Sequence, residues 1–241
     1  MKLSIIITIF ESQEALNRQV KYFAKMNLPK DIEFIFVDDG TKPPLTIPEG
    51  LELNGFLYKT NDFRPWTQGI ARNTGVRLSD AEYILCTDID HILSKEAIMW
   101  CYEFKGNMAM FPRYLAVLTE DGTLTQDIEV MKEYGLDPKR LETKRGLYAS
   151  VHGNTYCMLR KTFWELGGND ESHCQYGHHA PSGKGEDSIM QHRWNRWALK
   201  NGIKGSVGPK IYCFTNGRYH INGDPNPKGL FHSLSYLQPN D

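Results

Sequence analysis

No run in this sequence is long enough to cross a bilayer. The apolar stretch Leu3–Phe10 has eight residues where a spanning helix needs about 20, and no small-residue cleavage site follows it. It reads as a buried strand, so a chain without a transmembrane segment is expected, with the cytoplasm as its compartment. An excess of one charge is also missing: 28 basic side chains face 29 acidic ones, a net charge of −1. Nucleic-acid binding needs surplus cations to neutralise phosphates, so nucleic acid is not an expected partner. Cysteine is sparse and unpatterned. Cys86, Cys101, Cys157, Cys174 and Cys213 are five in number with no CxxC spacing, which argues against a disulfide framework and a zinc knuckle and leaves reduced thiols. No internal repeat is found. What the chain has in quantity is core: 241 residues with 40% apolar and 12% aromatic content suffice for one large domain.

The first half alternates strand and helix signals, the pattern of an α/β protein with a parallel sheet covered on both faces. Leu3–Phe10 is the first strand, and Ser12 is placed to cap a helix whose Leu16, Val20 and Phe23 share a face. Ile32–Val37 is a second buried strand ending in Asp38-Asp39-Gly40, and Leu51–Lys59 a weaker third. Ala71, Gly75 and Leu78 mark one face of a short helix; Tyr83–Thr87 then forms a strand ending at Asp88-Ile89-Asp90, and Ser94 can cap the next helix. Met108–Leu118 is a fifth apolar run, followed by an Asp121-Gly122 hairpin turn. Thr155–Leu159 is another strand, Gly167-Gly168 opens a long Gly- and His-rich loop, and a helix runs from Glu186 to about Asn201, where Gly202 stops it.

Ligands of an open parallel sheet collect at the carboxyl ends of its strands, and here two strands end in paired acids at that edge. Either pair alone reads as a turn or cap. Together they suggest one crevice, where a carboxylate can accept the imide N–H of uracil and a D-x-D turn can hold Mg²⁺ or Mn²⁺ through hard oxygens. His173, Cys174, His178 and His179 lack regular zinc spacing, and Trp194 and Trp197 share the Met190 face and read as core. Trp66, beside Pro65, is the aromatic expected to be exposed.

These motifs, in this order, resemble glycosyltransferase family 2 over the chain from Leu3 to about Trp197. Thr8 and Glu11 are similar to its first donor-binding segment, and Val37-Asp38-Asp39-Gly40-Thr41 to its VDDGS motif, which implies that Asp39 reads the base. Ala71-Arg72-Asn73-Thr74-Gly75 resembles the ARNxG helix start, placing Arg72 near the donor nucleotide. Asp88-Ile89-Asp90 resembles the DxD motif, implying Asp90 and Asp88 at a Mn²⁺ or Mg²⁺ ion, with Asp88 also beside the donor. A histidine after the last helix serves some members as a further ligand, and His220 is nearer the strand ending at Phe214 than His232. Gly167-Gly168-Asn169-Asp170-Glu171 resembles the acceptor-side GGxDE motif, so Asp170, Glu171 and Glu186 are expected on the acceptor side. Glu186-Asp187 resembles the ED motif, which implies Asp187 as general base.

The resemblance implies a GT-A fold: a Rossmann-like mixed central sheet flanked by helices. Residues 1–115 would form the nucleotide-sugar half and 116–214 the acceptor half of a domain spanning 1–214, with 215–241 a tail or lid. It implies metal-dependent transfer of a sugar, from a UDP-sugar by expectation, to a glycan or other hydroxyl acceptor with inversion. Gln191-His192-Arg193-Trp194 departs from the QxxRW spacing of processive synthases. A sugar-1-phosphate nucleotidyltransferase would need a Gly-rich loop after the first strand, where Thr8–Gln13 has no glycine. An aspartyl-phosphate phosphatase would carry its D-x-D on the first strand rather than the fourth. An inactive carbohydrate- or nucleotide-binding protein of the same fold is the reading from another class.

Overall fold

The computed structural model describes residues 1–64, 66–134, 147–149, 151, 153–176 and 185–213. Three sheets organise them. The largest has seven strands in the order β12-β6-β11-β4-β1-β2-β3, namely Ser206–Val207, Met108–Met110, Tyr156–Leu159, Tyr83–Asp88, Leu3–Ile9, Ile32–Asp38 and Gly55–Lys59. The segment β4-β1-β2-β3 is parallel, whereas β11 runs antiparallel to both β4 and β6. The sheet is therefore mixed, as the resemblance implies. A second sheet has the order β10-β7-β13-β5, from Leu147–Ala149, Arg113–Leu115, Ile211–Cys213 and His91–Ile92. Val117–Leu118 (β8) and Leu124–Thr125 (β9) form the expected hairpin, with Gly122 at φ +78 in its turn.

Alternation along β1 explains the layering. Leu3, Ile5, Ile7 and Ile9 point to one face, where they pack with Leu16, Val20 and Phe23 of α1 (Gln13–Ala24). Ile6 points to the other, against Ala71 and Val76 of α2 (Gln68–Leu78), Phe163 of α5 (Arg160–Glu165), and Met190 and Trp194 of α7 (Glu186–Asn201). The remaining helices are α3 (Lys95–Glu103), α4 (Ile128–Glu133) and α6 (His173–Tyr176). Ser94 caps α3 by accepting from the Ala97 amide.

Five local expectations change. Ser12 precedes α1, but its hydroxyl donates back to the Phe10 carbonyl and makes no helix cap. Leu51–Lys59 contributes only Gly55–Lys59 to the sheet, because pairing starts where the Asn54 carbonyl accepts from the Phe34 amide. Leu78 is 41% exposed at the end of α2, whose buried face carries Ala71, Arg72, Asn73 and Gly75 instead. Met108–Leu118 is not one strand: it breaks at Phe111-Pro112 and again at Ala116, and serves three sheets in succession. Trp194 is buried as expected, whereas Trp66 is only half-exposed. The 215–241 tail, and with it His220 and His232, lies outside the described residues, as do His178 and His179.

Candidate active site

At the end of β2 the two acids divide their work. The Asp38 carboxylate accepts from the amides of Thr41 and Leu45 at 3.0 and 2.8 Å, so it shapes the following turn. Asp39 is left facing the crevice, with Oδ1 accepting from the Thr67 hydroxyl at 2.6 Å. Burial pushes its carboxyl up to about 7, against the Thr67 hydrogen bond, which lowers it. Glu11, at φ +46, donates its amide to the Thr41 hydroxyl at 3.0 Å, which fixes the end of β1 beside the same turn. Thr8 is buried in β1 and in register with Asp88 of β4.

Helix α2 connects every other motif. Its close approach to the sheet needs Gly75: a Cβ there would overlap Ile6 Cγ2 and stand 3.2 Å from Val37 Cγ2. Held at that distance, the helix buries Arg72 completely. Arg72 Nη2 donates to Asp88 Oδ1 at 2.6 Å, and Nη1 donates to Asp187 Oδ1 at 2.7 Å and to Glu186 Oε1 at 3.4 Å. Burial opposes a charge here, yet the surrounding carboxylates of Asp88, Asp187 and Glu186 hold Arg72 well above the ordinary guanidinium value. Asn73 faces the other way. Its Nδ2 donates to the Asn169 carbonyl at 3.0 Å and to Glu171 Oε1 at 2.7 Å, while its Oδ1 accepts from the Asn169 amide at 2.9 Å. Gly168, at φ +66, lies where a Cβ would come 2.8 Å from that Oδ1.

The Asp88-Ile89-Asp90 turn is the crossover between the two main sheets, since β4 ends at Asp88 and β5 begins at His91. Asp88 accepts from Gln68 and Arg72 on Oδ1 and from Asn154 on Oδ2, at 2.8, 2.6 and 2.8 Å. Burial raises its pKa most strongly of any one influence, but the Arg72 charge, His91 and the hydrogen bonds from Arg72 and Asn154 together hold the carboxyl below the ordinary range. Both Asp88 oxygens thus accept hydrogen bonds that hold α2 against the end of β4. Behind Asp90, Arg113 Nη1 donates to His91 Nε2 at 3.2 Å; His91 Nδ1 therefore carries the hydrogen toward Thr155 Oγ1 at 2.6 Å, and Thr155 meets Thr87 at 2.9 Å. Ligand atoms of Asp90, His91 and Cys213 lie within 4.8 Å of one another. Of these the Asp90 carboxylate is the donor that suits a Mg²⁺-type ion, since both His91 nitrogens are engaged and the Cys213 sulfur is a soft donor; such ions take one or two carboxylates and complete their shell with phosphate oxygens and water.

Helix α7 opens with the paired acids Glu186 and Asp187. The Glu186 side chain is 2% exposed and the Asp187 side chain 28%. Burial pushes Glu186 up to about 8, which the Arg72 charge offsets only in part. The expected acceptor-side acids are largely committed to partners within the chain: Glu171 accepts from Asn73 and Arg77, Asp170 from the amide and hydroxyl of Ser172, and Glu186 faces Arg72. The structure thus gathers Asp88, Asp187 and Glu186 around the Arg72 guanidinium, with Asp39 and Asp90 just past their strand ends. Gln68, Asn154, Thr155, His91 and Arg113 were not singled out from sequence. Gln68 lies four residues before Arg72 and so on its helix face, a spacing that could have pointed to it. The others come together only through sheet pairing.

Known proteins similar to this chain identify its family and fold. Residues 4–163 match the family model described as Glycosyl transferase family 2. A poly(ribitol-phosphate) beta-glucosyltransferase of Bacillus spizizenii is 29% identical over 113 residues, covering 43% of this chain and 17% of that protein. The poly(ribitol-phosphate) beta-N-acetylglucosaminyltransferase TarS of Staphylococcus aureus is 30% identical over 104 residues, covering 41% and 18%. The chain thus spans less than a fifth of the length of these relatives. Among solved structures, S. aureus TarS 1–349 in complex with UDP-GlcNAc superposes with TM-score 0.53 at 15% identity, over 88% of this chain and 58% of that one. The mannosyltransferase PcManGT from Pyrobaculum calidifontis, in complex with GDP-Man and Mn²⁺, gives TM-score 0.50 at 15% identity, over 88% and 56%. The shared architecture is the GT-A fold. No helix among the described residues is long and apolar enough to cross a membrane.

Proposed function

This chain belongs to glycosyl transferase family 2; on that premise we propose that it is a glycosyltransferase that moves a sugar from a nucleotide diphosphate donor, a UDP-sugar before others, to an acceptor hydroxyl with inversion. The observation that carries the reading is the convergence on α2, which brings the end of β4 and the start of α7 to one buried guanidinium. The UDP-GlcNAc and GDP-Man complexes of the two neighbours support a nucleotide-sugar donor.

In this mechanism Asp39 accepts from the base, with Thr67 holding its other contact, and Thr8 and Glu11 line the nucleotide side of the crevice. A divalent ion, Mn²⁺ or Mg²⁺, would be held by Asp90, with His220 a further proposed ligand, and would neutralise charge developing on the departing diphosphate. Asp187 takes the proton of the incoming hydroxyl. Its Oδ1 is occupied by Arg72, which leaves Oδ2 for the proton, and it is exposed where Glu186 is sealed. Asp170 and Glu171 shape the acceptor side by fixing the 167–172 loop on α2 and α7.

The test compares two neighbours in sequence. Asp187→Asn keeps the shape and removes the basicity, so transfer should fall by about 10² to 10⁴ while UDP affinity holds. Glu186→Gln should leave transfer within about tenfold, because the buried acid is already neutral at pH 7. Loss of transfer in Glu186→Gln with retention in Asp187→Asn would move the base by one residue.

A further inference from the structure

We infer that Arg72 is a positioning residue that sets Asp187 against the Asp88–Asp90 turn, and not a ligand of the departing diphosphate; the inference rests on the glycosyl-transfer reading above. Both terminal nitrogens of its guanidinium are already engaged with carboxylates, and Nε is buried. One nitrogen donates to Asp88 at 2.6 Å and the other to Asp187 at 2.7 Å, from a side chain 1% exposed. Such charge-assisted bonds are the strong ones, and a diphosphate could reach Arg72 only by breaking both and drawing the guanidinium out of the core. The helix that carries it is not free to follow, since Gly75 packs on Ile6 and Val37, and Gly69 lies where a Cβ would meet the Asp170 carbonyl at 2.7 Å and the Glu186 carboxyl carbon at 3.1 Å.

Charge balance points the same way. Three carboxylates surround one guanidinium. Burial keeps Glu186 neutral near pH 7, and Arg72 then faces two anions, one on the strand that carries the D-x-D turn and one at the start of α7. A planar fork can span two carboxylates at fixed separation; an ammonium, a compact point charge, cannot. Arginine at this position therefore dictates the distance between the donor edge and the proposed base.

The experiment measures the UDP dissociation constant with Mn²⁺ by calorimetry, and the turnover of UDP-GlcNAc to UDP with water as acceptor. It uses the wild-type chain, Arg72→Gln, Arg72→Lys, Asp187→Asn, and each Arg72 variant combined with Asp187→Asn. Circular dichroism checks that each is folded. UDP affinity should stay within about twofold in the Arg72 variants, the scatter of independent sites, while turnover falls by about 10² or more. Adding Arg72→Gln or Arg72→Lys to Asp187→Asn should cost about twofold or less further, because the positioned group is gone. If Gln prevents folding, Lys carries the same comparison with the charge kept. UDP affinity that falls about tenfold in Arg72→Lys or Arg72→Gln, equally with and without Asp187→Asn, makes Arg72 a diphosphate ligand and overturns the inference alone. Full losses that multiply in the double variant overturn it too. A wild-type chain that binds UDP but loses nothing in Asp187→Asn overturns the base assignment and the inference with it, and one that binds no UDP overturns the donor reading itself.

Discussion

Two acids in the crevice carry protons that most of their kind have lost at pH 7. Burial raises Asp39 to about 7 and Glu186 to about 8. Below their ordinary values of 3.8 and 4.5, both are protonated whether the chain is folded or not. Above those values the unfolded chain releases protons that the folded chain retains, so folding stability drains away as pH rises through 7 and 8. Asp88 works in the opposite sense: against its burial, Arg72, His91 and Asn154 together depress it, so its contribution is present above 3.8 and lost as pH falls. The chain should therefore be more stable near pH 5 than near pH 8. Asp39→Asn, which cannot ionise, should flatten part of that decline, by on the order of a few kcal/mol at about 1.4 kcal/mol per pKa unit. Urea midpoints at the two pH values check this, and an unchanged slope in Asp39→Asn would assign the proton elsewhere.

Among the elements, α2 has most to lose from small changes. Gly75→Ala gains helix propensity of about 1 kcal/mol but forces a methyl into Ile6 and Val37, and overpacking of this kind costs about 1–3 kcal/mol. The net effect should be a lower urea midpoint and weaker transfer, since the displaced helix carries Arg72. Asn73→Ala leaves the Asn169 amide and carbonyl without the partners they have in α2, at about 1–3 kcal/mol for each buried group. Its signature should be faster hydrogen exchange confined to residues 167–172. The sequence made these elements readable where the pattern was local. Leu16, Val20 and Phe23 on α1, the Gly122 hairpin and the Gly202 stop of α7 all depend on neighbours within a few positions. Met108–Leu118 was not readable as three strands, because β6 and β7 are defined by partners far away in the chain, and only β8 pairs locally through the Gly122 hairpin.

At the scale of the whole molecule, the acids at two strand ends and at the head of α7 meet because a parallel sheet gathers its carboxyl ends on one edge and α2 crosses beneath them. That edge was legible from Asp38-Asp39 and Asp88-Ile89-Asp90. What stayed hidden was the division of labour: Asp38 spent on backbone amides, Asp88 on Arg72, Gln68 and Asn154, and His91 joined to Arg113 and Thr155 by a second sheet. The same edge gives the central claim its most direct test, a calorimetric titration of UDP-GlcNAc into the wild-type chain with Mn²⁺, repeated in excess EDTA and with Asp90→Ala. The account predicts saturable binding with Mn²⁺ that weakens by about tenfold or more in EDTA and in Asp90→Ala alike, a loss of about 1.4 kcal/mol or more. Binding of equal strength in all three would contradict the cation assigned to Asp90, and no binding even with Mn²⁺ would contradict the donor site itself.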